Sequence, residues 1–241
     1  MPDRAALVTG ASSGIGLAIA DLLGAEGYGL TVAARRPEKL AGAAEELRAK
    51  GYEVEEVAAN LTAEEDVQRV VAAHRERFGR MDVLVNSAGV GVGAPVADHV
   101  TKRVDMQLDL NLRAIILFYR ESVDLLRAAG AEHRNALVIN LSSIAGKAGA
   151  GWLSVYAATK SAVIGWTQSM NHELAGDGIK NVALCPGFVD TPMADFVKGQ
   201  IPPDAMIQTE DIAEAVRFLL RTSPACRVPE IVFERPGDES L

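Results

Sequence analysis

The chain has 241 residues, with 24 Lys and Arg against 32 Asp and Glu, for a formal net charge of −8. An acidic protein lacks the basic face that phosphate neutralisation needs, which excludes nucleic acid as a main partner, and no apolar run approaches the roughly 18 residues of a membrane span. Two cysteines cannot build a disulfide framework, and the amino terminus shows no signal-like segment, so a reducing, cytoplasmic setting is expected.

Short apolar runs predict strands at Ala5–Thr9, Gly29–Ala34, Glu53–Ala58, Met81–Asn86, Asn135–Leu141, Lys180–Cys185 and Glu230–Phe233. Between them, amphipathic patterns predict helices at Ile15–Glu26, Pro37–Lys50, Ala63–Phe78, Lys102–Ala129, Val155–Leu174 and Thr209–Leu220. Near-continuous apolar strands alternating with helices read as βαβ units. The expected fold is α/β, a doubly wound, mostly parallel sheet with helices on both faces. No linker or repeat divides residues 1–241, so one domain is expected. The aperiodic stretch Thr191–Gln208, with Pro192, Pro202 and Pro203, reads as a substrate-covering loop.

The first strand runs into Gly10-Ala-Ser-Ser-Gly-Ile-Gly16. Glycines there permit a tight turn and close approach of a phosphate, and the following helix start offers free N–H groups to the anion. Gly10, Ser12, Ser13, Gly14, Ile15 and Gly16 are therefore candidate cofactor contacts. The same residues also fit a Gly-x-Ser-x-Gly nucleophile elbow, which would make Ser12 an esterase nucleophile. That reading needs an earlier strand and loop for an oxyanion hole, yet only nine residues precede Gly10, and no histidine stands in a matching context. The second strand ends at Ala34 with Arg35 and Arg36 behind it and no acid. An acid there would bind a ribose 2′-hydroxyl. Two guanidiniums suit a 2′-phosphate, so NADP(H) is expected over NAD(H).

Further along stand Asn60-Leu61 after the third strand, Asn86-Ser-Ala-Gly89 after the fourth, Asn111, Ser143, Tyr156-Ala-Ala-Thr-Lys160, and Pro186-Gly187 followed by Thr191. With Thr9–Gly16 this ordered set resembles the short-chain dehydrogenase/reductase family from Ala5 to about Thr191. The resemblance implies a single NAD(P)-binding domain over residues 1–241 with a Rossmann-type, seven-stranded sheet in the order 3-2-1-4-5-6-7, and hydride transfer between NAD(P)H and a carbonyl or alcohol. It also implies a homodimer or homotetramer. Asn60 and Leu61 would face the adenine, where relatives carry Asp in place of Asn60, and Asn86, Ala88 and Gly89 the adenosine side. Pro186, Gly187, Val189 and Thr191 would lie by the nicotinamide. Asn111 would hold a water in a proton relay.

The residue chemistry agrees. Tyr156 and Lys160 share a helix face one turn apart, and Tyr156 is the only one of four tyrosines with Lys at i+4. A nearby ammonium favours the phenolate and would draw the phenol below its usual pKa. Both Ser142 and Ser143 lie just past a strand, at the edge where open α/β sheets bind ligands. The resemblance selects Ser143, thirteen residues before the tyrosine. Tyr156 and Lys160 would also contact the ribose. Trp152 and Met193 are pocket or core residues that spacing does not separate. No His, Cys or carboxylate cluster has metal-ligand spacing. The competing class is a non-catalytic dinucleotide sensor on the same fold, and the substrate stays open among ketoacyl thioesters, steroids, sugars and small ketones or aldehydes.

Overall fold

The structure, a computed structural model, describes residues 2–236, so the two ends of the expected 1–241 domain lie outside the described residues. In chain order the main elements are β1 (Ala5–Thr9), α1 (Gly14–Ala25), β2 (Gly29–Ala34), α2 (Pro37–Ala49), β3 (Val54–Ala58) and α3 (Glu64–Phe78). They continue with β4 (Val83–Asn86), α4 (Thr101–Leu108), α5 (Ala114–His133), β5 (Ala136–Leu141), α6 (Ser154–Glu173), β6 (Ile179–Pro186), α7 (Thr209–Arg221) and β7 (Glu230–Phe233). The strands form one seven-stranded sheet in the order β3-β2-β1-β4-β5-β6-β7, and every neighbouring pair is parallel.

The alternation of β1 shows how the sheet divides its core. Ala6 and Val8 point into a cluster built with Ile19 and Leu23 of α1, Leu40 of α2 and Val216 of α7. Leu7 points the other way, onto Val67 of α3, Phe118 of α5 and Val163 of α6. Strands β1, β2, β5 and β6 are buried along their whole length because helices cover both faces, which is why they read as unbroken apolar runs. Chain order reverses between β1 and β4. The connections that follow them therefore leave toward opposite faces of the sheet, the arrangement that makes room for a ligand at a switch point.

Two expectations change. The predicted helix Lys102–Ala129 is α4 and α5 joined by a π-helical turn, Asp109–Arg113. Such turns insert one extra residue and re-aim a side chain. Here it is Asn111, fully buried and bonded away from its own helix. The stretch Thr191–Gln208 is a folded flap with 3-10 turns at Pro192–Val197 and Pro203–Ala205. Ala194, Val197 and Met206 make its small core, packed with Phe188 and Ile201, and Val189 pairs with Ile207 to pin its base.

Candidate active site

The glycine turn is built by exclusion. Gly10 has φ +71°, and a Cβ there would lie 2.8 Å from the backbone nitrogen of Ala88; a Cβ at Gly16 would lie 2.5 Å from the Gly10 carbonyl. No side chain larger than hydrogen fits either place, so the first turn stays low and α1 starts directly behind it. Ser13 caps α1 in an extended conformation without a side-chain bond, and the first turn carries no acid. The leading N–H groups of Gly14, Ile15 and Gly16 are therefore free to meet an anion. Ser12 lies half-buried in the turn. Across it, Thr191 reaches over Gly14, where a Cβ would meet Thr191 Cγ2 at 3.0 Å.

Thr9, which the sequence reading quoted but did not assign, ties this turn to the next. Its hydroxyl donates to the Val85 carbonyl and accepts from the backbone N–H groups of Ser87 and Ala88. The signal was a polar residue, only 2% exposed, at the end of an apolar strand. Arg35 and Arg36 follow β2, both exposed, and among the described residues neither has an ion-pair partner. Elsewhere the surface arginines are largely matched to carboxylates, such as Arg48 to Glu56 and Arg75 to Asp124. Two unmatched guanidiniums at the sheet edge fit a phosphate ester better than a hydroxyl pair. Asn60 is exposed, and its amide oxygen accepts from the Thr62 hydroxyl at 3.0 Å, while Leu61 is buried.

On the other side of the crevice Ser143, Lys160 and Asn111 are buried and Tyr156 is half-buried. Ser143 follows β5; its hydroxyl accepts from Ala145 N–H at 3.1 Å and donates to the Pro186 carbonyl at 3.4 Å. Ser142 instead donates to the Lys160 carbonyl at 2.8 Å, a backbone role. Tyr156 and Lys160 lie one turn apart on α6, with the ammonium 5.6 Å from the phenol ring centroid. Lys160 Nζ donates to the Leu141 carbonyl at 2.7 Å. A Cβ at Gly89 would lie 3.5 Å from that ammonium and 3.4 Å from Asn111 Oδ1, so Gly89, Asn111 and Lys160 converge. Asn111 accepts from Val90 N–H at 2.8 Å and donates to the Val90 carbonyl at 2.8 Å and to Thr159 Oγ1 at 3.1 Å. Beneath them Asn86 donates to Asn140, which donates to Tyr119 and Thr167; Tyr119 in turn donates to Asn181. This polar ladder fixes β4, β5 and β6 to α5 and α6, and asparagines inside apolar strands were its signal in the sequence.

The electrostatics depart from the expected direction at Tyr156. Burial pushes its phenol above the ordinary value, and the neighbouring Ser143 hydroxyl acts against that rise. Burial dominates the shift, and Lys160, 5.6 Å from the ring centroid, is not among the groups that set it. Desolvation lowers Lys160 to about 8. Cys185, behind the same strand end, is pushed up to about 11 by burial and stays a thiol. The histidines are engaged elsewhere: His74 with Thr31 and the Arg80 carbonyl, His99 with Ser154, and His133 with Asp82. None of these three completes a triad at Ser12.

Residues 4–201 match the family described as short chain dehydrogenase. The chain belongs to that family. It is therefore an oxidoreductase of the kind that acts on CH–OH or C=O groups. It is similar to a putative ketoacyl reductase of Streptomyces coelicolor, with 36% identity over 238 residues covering 89% of each chain. Among solved structures it is similar to a variant of the actinorhodin polyketide ketoreductase with NADPH, at a TM-score of 0.86 and 32% identity over 95% of each chain. A 3-ketoacyl-(acyl-carrier-protein) reductase of Brucella melitensis complexed with NADH aligns with the same TM-score of 0.86 at 28% identity over 96% of each chain. The family is thus represented with both nicotinamide cofactors. No helix among the described residues is long and apolar enough to cross a membrane.

Proposed function

We propose that the protein is an NADP(H)-dependent carbonyl reductase, or the reverse alcohol dehydrogenase, with Tyr156 as its general acid and base. The observation that carries this reading is the convergence of Ser143, Tyr156, Lys160 and Asn111 beside an uncapped helix start at the sheet's switch point. Gly10 to Gly16 would hold the pyrophosphate and Arg35 and Arg36 the 2′-phosphate. Asn60, Leu61, Asn86, Ala88 and Gly89 would flank the adenosine side. Pro186, Gly187, Val189 and Thr191 would border the nicotinamide. When bound, the cofactor supplies or accepts the hydride.

The chain's own residues govern the oxygen. Ser143 Oγ, which accepts from Ala145 N–H, turns its one proton from the long 3.4 Å contact with the Pro186 carbonyl to the substrate's carbonyl oxygen and orients it. Tyr156 Oη delivers the proton that this oxygen takes up during reduction. A phenol held above its ordinary value carries its proton at neutral pH and so has it to give. Lys160 holds the ribose hydroxyls and places positive charge near the phenol, and Asn111 anchors the far end of the proton path to solvent. We also propose a cytoplasmic homodimer or homotetramer. The test is NADPH absorbance on a panel of ketones, aldehydes and ketoacyl thioesters. Oxidation of NADPH by at least one carbonyl is expected, and none across the panel would overturn the reading.

A further inference from the structure

A continuous wall runs from one catalytic side chain round to the other. Ser143 touches the Pro186 carbonyl, and two residues on Phe188 stacks edgewise on Phe196, with centroids 6.4 Å apart and planes at 70°. Phe196 meets Trp152 at 6.1 Å and 87°. Trp152 lies on Gly93, where any Cβ would overlap Trp152 Cε3, and Gly91 lies against the Tyr156 ring, where a Cβ would come within 3.5 Å. The wall is aromatic on one side and glycine on the other. Its upper residues are far from core-like: Trp152 is 53% exposed, Met193 51% and Phe196 62%.

Trp152 also adopts φ +57°, a left-handed conformation that a bulky residue takes only where its surroundings impose it. The constraint is visible: Ala94 N–H donates to the Trp152 carbonyl at 2.7 Å while the indole sits on Gly93. Backbone strain is thus spent on holding an indole half in solvent, beside Tyr156 and four residues before it. The flap opposite has a single cation, Lys198, and both Asp190 and Asp195 claim it, at 2.9 and 2.8 Å. With Asp204 added, the flap is net acidic, which disfavours a substrate carrying phosphate or carboxylate.

We propose that Trp152 and Phe196 form an aromatic slot that receives the ring of a neutral aryl or fused-ring ketone, with its carbonyl directed at Ser143 and Tyr156. This rests on the carbonyl-reductase reading above and names its substrate class. A flat ring fills an edge-to-face aromatic corner over much of its area, whereas a short aliphatic chain leaves most of it wet. Gly93 is the positioning residue that seats the indole.

The test compares NADPH-dependent kcat/KM for 1-tetralone, 2-butanone and an N-acetylcysteamine 3-oxobutanoyl thioester. Wild-type protein should favour the tetralone. Trp152→Gly, which suits the left-handed backbone, and Phe196→Ala should each lose about tenfold more on tetralone than on butanone. Independently, tetralone should quench the tryptophan emission of wild-type protein saturably, and Trp152→Phe should remove most of that change. A tetralone-to-butanone ratio unmoved by both variants, or a preference for the thioester, would overturn the slot. The absence of any turnover with Trp152-dependent quenching intact would sink the reductase reading and leave the slot standing.

Discussion

Along the carboxyl ends of β1 to β3 the groups proposed to hold the cofactor are backbone N–H donors and exposed arginines, whereas the groups proposed for the chemistry along β5 and β6 are largely buried side chains above a polar ladder. Gly10, Gly14 and Gly16 would act by what they lack, and Arg35 and Arg36 are exposed with no ion-pair partner among the described residues. Ser143, Lys160 and Asn111 act by where their neighbours hold them, through Pro186, Leu141, Val90 and Thr159. The difference follows from the task. A phosphate is recognised by charge and N–H direction, which tolerate exposure. A proton must instead pass between atoms placed to a fraction of an ångström, which calls for a rigid, fully bonded surround.

If the two sides are separate devices, damage to one should spare the other. The largest effect is expected on the buried side. Lys160→Met should lower kcat by about 100-fold or more. The same change should leave the Tm at pH 7 no lower than wild type. Its pKa of about 8 lies below the ordinary 10.5, so between those values the unfolded chain binds a proton the native state refuses. The burden of the buried ammonium is therefore full below pH 8 and relieved as pH rises to 10.5. A large fall in Tm at pH 7 would show that Lys160 is chiefly structural.

The nucleotide side has one buried titratable anchor that sharpens the contrast. His74 Nε2–H donates to the Arg80 carbonyl, which leaves Nδ1 to accept from Thr31, and burial lowers the ring to about 4. Its folded value lies below the unfolded 6.5, so the stability it contributes is present above pH 6.5 and lost as pH falls toward 4. At the low end the loss is about 3 kcal/mol. Urea unfolding at pH 7 and pH 4.5 should show a steeper decline for wild type than for His74→Asn; parallel declines would remove His74 from the account. Smaller still, Arg35→Ala should raise the Kd for NADPH by about tenfold, leaving NADH binding and kcat near wild type. Equal weakening of both cofactors would reassign Arg35 to a general electrostatic role.

How much of this was legible follows from which signals are local. Apolar runs gave the strands because helices cover both faces of the sheet, and the boundaries erred only at edges such as Met81, where Asp82 turns its carboxylate to Arg80 and Ala5 instead of entering β4. The break at Asp109–Arg113 was not readable, since a π turn keeps the helix's apolar pattern and announces itself only by an asparagine in an awkward place. The flap looked structureless because its core is one small cluster of three buried residues, Ala194, Val197 and Met206, carried on 3-10 turns with no helical period. The aromatic wall joins residues 93, 152, 188 and 196, and no spacing rule links them. Tyr156 and Lys160 were found by their i+4 relation. The direction of the phenol's shift was not, because it depends on burial, which the spacing of two residues on one helix does not show.

The central claim is that Tyr156 moves the proton and does little to hold the nucleotide. Tyr156→Phe keeps the ring against Gly91 and removes only the hydroxyl. On one preparation of that variant, kcat for a reducible ketone and the Kd for NADPH should be measured together. The account predicts a loss of at least about 100-fold in kcat with a Kd within about twofold of wild type. Turnover near wild type, or a collapse of NADPH binding that explains the loss, would contradict it.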